Sequence, residues 1–302
     1  MSCNHPIYAI DLGLKENGKR NLKIVPNRPD LSSMKQLQAR FGSKSIIPLP
    51  CGKCLACKLS RAREWSVRCT LEASLYEDNC FITLTYDDKH LPKDGKLCRK
   101  HLTDFLKRLR SSVNIMDGSS IRYFACGEYG STTKRPHYHL IVFGFFPKDL
   151  KNGSSQKLSE LWPFGFNYVG ECTFESCNYV ARYTTKKIFK DEKTDEFITM
   201  STHPGIGYGW LEKHFDIFDD GAIFGRFGSG KVSNIPRYFE KVFELIDPKK
   251  LKELKDDRID NASSLKLNEL ISHCMQEVEF LYEYKDSQQI ADYKRRGDRK
   301  DL

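Results

Sequence analysis

The sequence predicts an α+β fold, a central antiparallel sheet flanked by helices, followed by a helical C-terminal extension. Three observations predict it. Candidate elements run strand, helix, strand, strand, helix, and the two consecutive strands are separated only by the polar, Gly-containing stretch GEYGSTTKRP, which suits antiparallel pairing. Side-chain polarity switches between a period of two and a period near 3.6 along the chain. From about residue 237 the text becomes charge-rich, helical in pattern and nearly free of Gly.

Each element has a local reason. Residues 59–76 lack Gly and Pro and read as helix. Residues 80–86, CFITLTY, alternate β-favouring residues and stop at Asp87 and Asp88, so they read as a strand. In residues 100–113 Leu102, Phe105, Leu106 and Leu109 form one apolar stripe of a helix. Residues 121–125 and 139–146 read as two further strands, and residues 175–189 as a helix. We expect three regions: 1–70, a basic, cysteine-containing segment packed on the core; 71–236, the core; and 237–302, a helical tail.

Charge is unevenly spread. The 302 residues carry 49 Lys+Arg and 40 Asp+Glu, a net charge of +9. Residues 1–70 hold 13 Lys+Arg and 4 Asp+Glu, so the whole surplus lies there and the remainder is balanced. A composition of 39% apolar and 12% aromatic residues argues against disorder. The longest nearly unbroken apolar run, residues 140–146, is far short of the roughly 20 residues a membrane span needs. The start, MSCNHPIYAIDLG, has no basic stretch followed by an apolar core. We therefore expect a cytoplasmic protein with no membrane partner.

Eleven cysteines, an odd count in a long chain without an export signal, argue for reduced thiols or a metal site over a disulfide framework. Cys51, Cys54 and Cys57 form C-x-x-C-x-x-C, and Cys3 or His5 would complete a four-ligand zinc set. Three thiols in a turn without metal is the plainer alternative. On the helix that follows, Lys58, Arg61, Trp65 and Arg68 recur at spacings of 3, 4 and 3. That face suits phosphates and an unstacked base, or else is a solvated face with one partly buried Trp.

Two short segments carry the chemistry. In PHYH at 136–139, strand alternation sends His137 and His139 to one face, about 7 Å apart, and Tyr138 to the other. They are either two ordinary strand-edge histidines or a chelating pair. Glu128, just before the loop, is brought beside them by a hairpin. Two imidazoles and a carboxylate leave positions open for phosphate oxygens or water, as Mg2+ or Mn2+ requires for phosphoryl transfer. In NYVARYTTKK at 178–187, Tyr179 and Tyr183 lie one helical turn apart on one face. Such pairs commonly belong to a core, but here Arg182, Lys186 and Lys187 surround them. A phenol of pKa near 10 becomes a useful nucleophile when a metal polarises the phosphate and cations stabilise the phenolate.

The series FITLTY, HYH and YVARYTTKK resembles the rolling-circle replication initiators with a His-hydrophobic-His (HUH) motif. More narrowly, PCGKCLACK, RYFACGEYG, RPHYHLIVFG and PGIGYGW resemble the replication initiation proteins of single-stranded DNA phages of the gokushovirus branch of the Microviridae. The resemblance covers roughly residues 1–240. It implies an HUH endonuclease with an RRM-like core, a divalent metal on His137 and His139 and, less uniformly, on Glu128, and tyrosine nucleophiles at Tyr179 and Tyr183. It also implies site-specific nicking of origin DNA through a 5′-phosphotyrosine, with Tyr183 acting first and Tyr179 in the second step. Lys186 and Arg182 steady the phosphate, and Lys187 contacts DNA. A host polymerase extends the free 3′-hydroxyl in the bacterial cytoplasm. No G-x-x-x-x-G-K-[ST] occurs, so unwinding falls to a partner helicase. Two alternatives stay open: a transposase or plasmid relaxase of the same fold, and a non-catalytic, zinc-stabilised DNA-binding protein.

Overall fold

The structure, a computed structural model, describes residues 3, 5–15, 20–25, 31–42, 46–113, 120–130, 132–186, 195–225 and 233–258. Among them, residues up to Ser60 form one compact unit and those from Arg61 on form a second. In the first, β1 (Ile7–Leu14) pairs antiparallel with β2 (Arg20–Ile24) on one side and β3 (Ile46–Leu49) on the other, with α1 (Leu31–Phe41) between β2 and β3 in the chain. None of these three strands was anticipated from the sequence. They are short, and the small sheet leaves Ile7, Leu12, Leu22 and Ile24 exposed, so no clean burial alternation marks them.

Helix α2 (Leu55–Ala73) begins four residues earlier than its Gly- and Pro-free text suggested. The second unit is then built around a five-stranded antiparallel sheet. Its strands are β4 (Asn79–Tyr86), β5 (Arg122–Tyr129), β6 (Pro136–Phe143), β7 (Gly165–Glu171) and β8 (Phe197–Met200), in the spatial order β7-β4-β6-β5-β8. Helix α3 (Arg99–Ser112) follows β4, α4 (Gln156–Leu161) precedes β7, and α5 (Phe174–Lys186) follows it. The α+β class with a central antiparallel sheet is as the sequence predicts.

The two faces of the sheet have different fates. One face presents Ile82, Leu84, Tyr138, Leu140 and Val142, which pack on the stripe Leu102, Phe105, Leu106 and Leu109 of α3 and on Trp162. The other presents Phe124, Cys126, Ile141 and Phe143, which pack on Ala62 and Cys69 of α2 and on Cys177, Val180 and Ala181 of α5. The end of β6 beyond His139 is thus apolar on both sides because it is central and covered twice. Gly144, at φ 79, ends the strand although the apolar text runs on to Phe146. Strand β5 continues past residue 125 to Tyr129, because the hairpin closes only at Gly130, whose N–H donates to the Arg135 carbonyl at 3.0 Å. Glu128 is therefore a strand residue.

A second core unites α6 (Tyr208–Leu211), α7 (Ile217–Asp220), β9 (Ala222–Ile223), β10 (Ser233–Asn234) and α8 (Arg237–Phe243). Here Phe218, Phe239, Phe243 and Leu251 bury together with Val67 and Leu71 of α2. Residues 259–302 lie outside the described residues, as does Lys187. No described helix is long and apolar enough to cross a membrane.

Candidate active site

Strand pairing builds the site. Thr85, His137 and Glu128 stand in one row across β4, β6 and β5, and Thr83, His139 and Cys126 in the next. Residues directly opposite in an antiparallel pair share a face, so the two histidines and Glu128 converge. His137 Nε2 and His139 Nε2 lie 2.8 and 2.9 Å from the same atom, Glu128 Oε1. The side chains of Glu128 and His139 are buried, and that of His137 is 16% exposed.

The far nitrogens of both rings are held. His137 Nδ1 donates to the Arg135 carbonyl at 3.1 Å, and His139 Nδ1 lies 2.9 Å from Thr83 Oγ1. A proton on Nδ1 leaves the Nε2 lone pair aimed at Glu128, so two lone pairs and a carboxylate face one another. Such a set is relieved by a cation between them, and its donors are compatible with a divalent ion.

Helix α5 brings the tyrosines to this point. It opens on a reciprocal cap, in which Thr173 N–H donates to Ser176 Oγ at 2.8 Å and Ser176 N–H donates to Thr173 Oγ1 at 3.2 Å. Cys177, Val180 and Ala181 form its buried face. Tyr179, on the flank of that face, sets its ring edge-on to His139 at 5.1 Å between centroids and edge-on to Phe81 at 6.1 Å. Phe81 itself stacks on the His139 ring at 5.6 Å. Tyr179 is 38% exposed, so its ring touches the histidine while a route from solvent stays open. Arg182 is half-buried on the same helix. Tyr183 and Lys186 belong to α5, and their side chains lie outside the described residues.

The other candidate residues divide. Cys3, Cys51, Cys54 and Cys57 bring four sulfurs within 4.8 Å of one another, so Cys3 rather than His5 completes the set. Burial alone would push the Cys51 thiol up, but the N–H groups of Cys54 and Lys53 point at its sulfur and hold it at about 7. The set is compatible with a bound metal ion. On α2, Arg61 is exposed and Trp65 rests on Phe124 at 5.0 Å. Arg68 is buried, with its guanidinium between the Trp65 and Tyr238 rings at 4.0 and 4.1 Å and Nε donating to the Ile206 carbonyl. The stripe that joins Trp65 to Arg68 thus faces the interior, because a long aliphatic stem and two aromatic faces accommodate the cation there. Thr83 and Phe81, which hold His139, were not singled out from the sequence. The only available signal was their alternation with the core residues of β4, and their partner depends on a register set across strands.

Comparison with known proteins adds a family. The family profile of the replication-associated protein ORF2 type matches residues 79–188, which include the triad and α5. The chain is 35% identical over 223 residues to replication-associated protein VP4 of Bdellovibrio phage phiMH2K, covering 68% of this chain and 70% of the relative. It is 34% identical over 264 residues to replication-associated protein ORF2 of Spiroplasma virus 4, covering 81% of each. It is also 40% identical over 154 residues to replication-associated protein ORF4 of Chlamydia phage 1, covering 46% of this chain and 38% of that one. No solved structure matches.

Proposed function

Because the chain belongs to the replication-associated proteins of Microviridae-type phages, we propose that it initiates rolling-circle replication by nicking origin DNA and rejoining the displaced strand. One observation carries this reading: Glu128, His137 and His139 converge on a single point beside the Tyr179 ring. Two imidazole nitrogens and a carboxylate oxygen suit Mg2+ or Mn2+ with positions left for phosphate oxygens. Such an ion, when bound, draws charge from the scissile phosphate.

The protein's own groups do the rest. The Arg135 carbonyl and Thr83 keep both Nε2 atoms turned to the site. The Tyr179 phenolic oxygen attacks phosphorus, its bond to phosphorus forms as the bond to the 3′ oxygen breaks, and the phenolic proton ends on that 3′ oxygen. The products are a 5′-phosphotyrosine and a free 3′-hydroxyl, which primes a host polymerase while a host helicase unwinds the duplex. Tyr183, one helical turn on, makes the second attack. The freed 3′-hydroxyl then displaces the first tyrosine and releases a circular single strand, in the host bacterial cytoplasm. Each step exchanges one phosphodiester for another, so joining consumes no nucleotide. Arg182 and Lys186 neutralise charge on the phosphate and phenolate. Lys58, Arg61, Lys187 and the basic residues 1–70 supply phosphate contacts.

The four thiols we assign to structural Zn2+. A tetrahedral site with Zn–S bonds of about 2.3 Å has sulfurs about 3.8 Å apart. Cys3 and Cys54 are separated by 3.7 Å, and Cys51 and Cys57 by 4.0 Å.

The test uses single-stranded oligonucleotides tiled along the encoding phage genome, incubated with the full chain and Mg2+ or Mn2+. A denaturation-stable adduct is expected from the wild type and from Tyr179→Phe or Tyr183→Phe alone, and none from the double variant. A wild type that forms no adduct, or a double variant that does, overturns the reading. Mapping the modified tyrosine by mass spectrometry gives the order of attack.

A further inference from the structure

The sheet face that carries the triad is only half covered. Helices α2 and α5 lie over Phe124, Cys126, Ile141 and Phe143 of β5 and β6. On β4 the residues of this face, Phe81, Thr83 and Thr85, are half-exposed, and on the edge strand β7 Phe166 is 67% and Tyr168 56% exposed. The register puts these two aromatics in the rows of the site. Phe166 pairs with Thr85, which pairs with His137, and Tyr168 pairs with Thr83, which pairs with His139. Two strand spacings separate each aromatic from its histidine, about 10 Å. A cavity of about 480 Å3 joins the two ends of the first row, lined among others by Phe166, Thr85, Arg135 and His137.

Two further facts bear on what covers these rings. Tyr168 is held in place, since Gly153, at φ 77, presents no side chain where its ring lies, and the Val169 N–H donates to the Gly153 carbonyl at 2.6 Å. The nearby guanidinium of Arg135 is already engaged, by Asp88 Oδ1 at 2.6 Å and by the Tyr86 carbonyl at 3.0 Å. An occupant of this face is therefore bound by flat apolar contact more than by charge. Bases of a single strand offer such contact, and every base has a π-face.

We infer that Phe166 and Tyr168 form a stacking platform for bases of the single strand next to the scissile phosphate. This rests on the nicking reading, because that reading puts the phosphate at His137 and His139. The strand then crosses the sheet from β6 toward β7, with a base entering the cavity between His137 and Phe166.

The test measures anisotropy of a fluorescein-labelled oligodeoxynucleotide on the full chain without added divalent ion, with adduct formation scored separately. Phe166→Ala and Tyr168→Ala should each weaken binding about tenfold, the loss of one stacked base. Phe166→Leu should be as weak as the alanine variant, and Phe166→Trp should bind at least as well as wild type. Phe224→Ala, which removes an aromatic residue equally exposed outside the sheet, should change nothing. Stacking releases no counterions, so the wild-type to variant ratio should stay constant between 50 and 200 mM salt. Less than a twofold loss in both alanine variants, a ratio that collapses with salt, or no binding by wild type overturns the inference. A wild type that binds in this pattern yet forms no adduct refutes the nicking reading and leaves the platform standing. Adduct formation with undiminished binding by the alanine variants does the reverse.

Discussion

Thr83→Val should weaken Mn2+ binding at the triad while the equivalent change one row away, Thr85→Val, should not. Both threonines lie on β4 directly opposite a histidine of β6, Thr83 opposite His139 and Thr85 opposite His137. Only the first has a hydroxyl engaged with its imidazole, at 2.9 Å from Nδ1. His137 Nδ1 is instead satisfied by the Arg135 backbone carbonyl, which no side-chain change removes. Valine keeps the shape and the strand preference, so the perturbation is one oxygen atom. Loss of a group that orients a metal-binding histidine reduces affinity about 10- to 100-fold. The lower end applies here, because Phe81 stacked on the His139 ring and Tyr179 edge-on to it continue to hold its plane. A single neutral hydrogen bond worth about 0.5–1.5 kcal/mol converts to about 2- to 12-fold in affinity, which agrees with a loss near tenfold. Titration calorimetry with Mn2+ on the two variants reads this directly, and urea unfolding checks that both stay folded. Equal affinities for the two variants would refute the claim that Thr83 positions His139.

Further outcomes follow from other parts of the fold. Purified protein should carry one zinc per chain by elemental analysis; Cys54→Ser should abolish it and Cys98→Ser, outside the cluster, should retain it, and zinc kept by the former would remove the assignment. Tyr138→Phe should lower unfolding free energy by about 1–3 kcal/mol, since the buried hydroxyl serves Cys98 N–H at 2.9 Å, the Cys98 carbonyl at 3.0 Å and the Tyr86 hydroxyl at 2.8 Å. Mn2+ affinity should be unchanged, because that side chain lies on the opposite face. His101 stacks on Phe164 at 4.2 Å, and burial holds its pKa below the usual 6.5. The folded state thus favours the neutral ring, so its contribution is complete above about pH 6.5 and falls as pH drops from there through the lower folded value. Urea midpoints measured from pH 7.5 to 5 should decline in wild type and decline less in His101→Phe; identical slopes would show that another group is responsible.

Local pattern made the reactive groups legible. His137 and His139 are recognisable because strand alternation is a property of three consecutive residues, and Glu128 because a hairpin joins neighbouring segments. Cys3 was a guess between two nearby donors, and the pairing of β1 with β3 decides it by bringing the chain start beside the cysteine turn. What escaped depends on register between strands far apart in sequence. Thr83 meets His139 across 56 positions, and Phe166 reaches the histidine rows only through β4. Strand β7 carries glycine at both Gly165 and Gly170, which hides it from a propensity reading, and β8 is only four residues long. The stripe of α2 shows the opposite failure. Helical spacing correctly put Trp65 and Arg68 on one face, but spacing does not say whether a face meets solvent or a sheet. Arg68 lies inside because the aromatic rings of Trp65 and Tyr238 and the Ile206 carbonyl substitute for water.

The two sides of β6 explain how a polar site is held at fixed geometry in an apolar sheet. A slip of one residue in this strand would exchange every side chain between faces, sending His137 and His139 into the α3 core and Tyr138 to the metal side. The core side forbids this. Tyr138 has its hydroxyl locked into three hydrogen bonds and its ring against Trp162, and Leu140 and Val142 fill the same layer. The register that aligns His137 with Glu128 and His139 with Thr83 is therefore determined mainly by side chains that never touch the site. Metal donors are consequently aligned before any ion arrives, and binding energy need not be spent on ordering them. The same register also carries Phe166 and Tyr168 into the histidine rows, so the grip on a base and the position of the phosphate are fixed by one set of strand pairings.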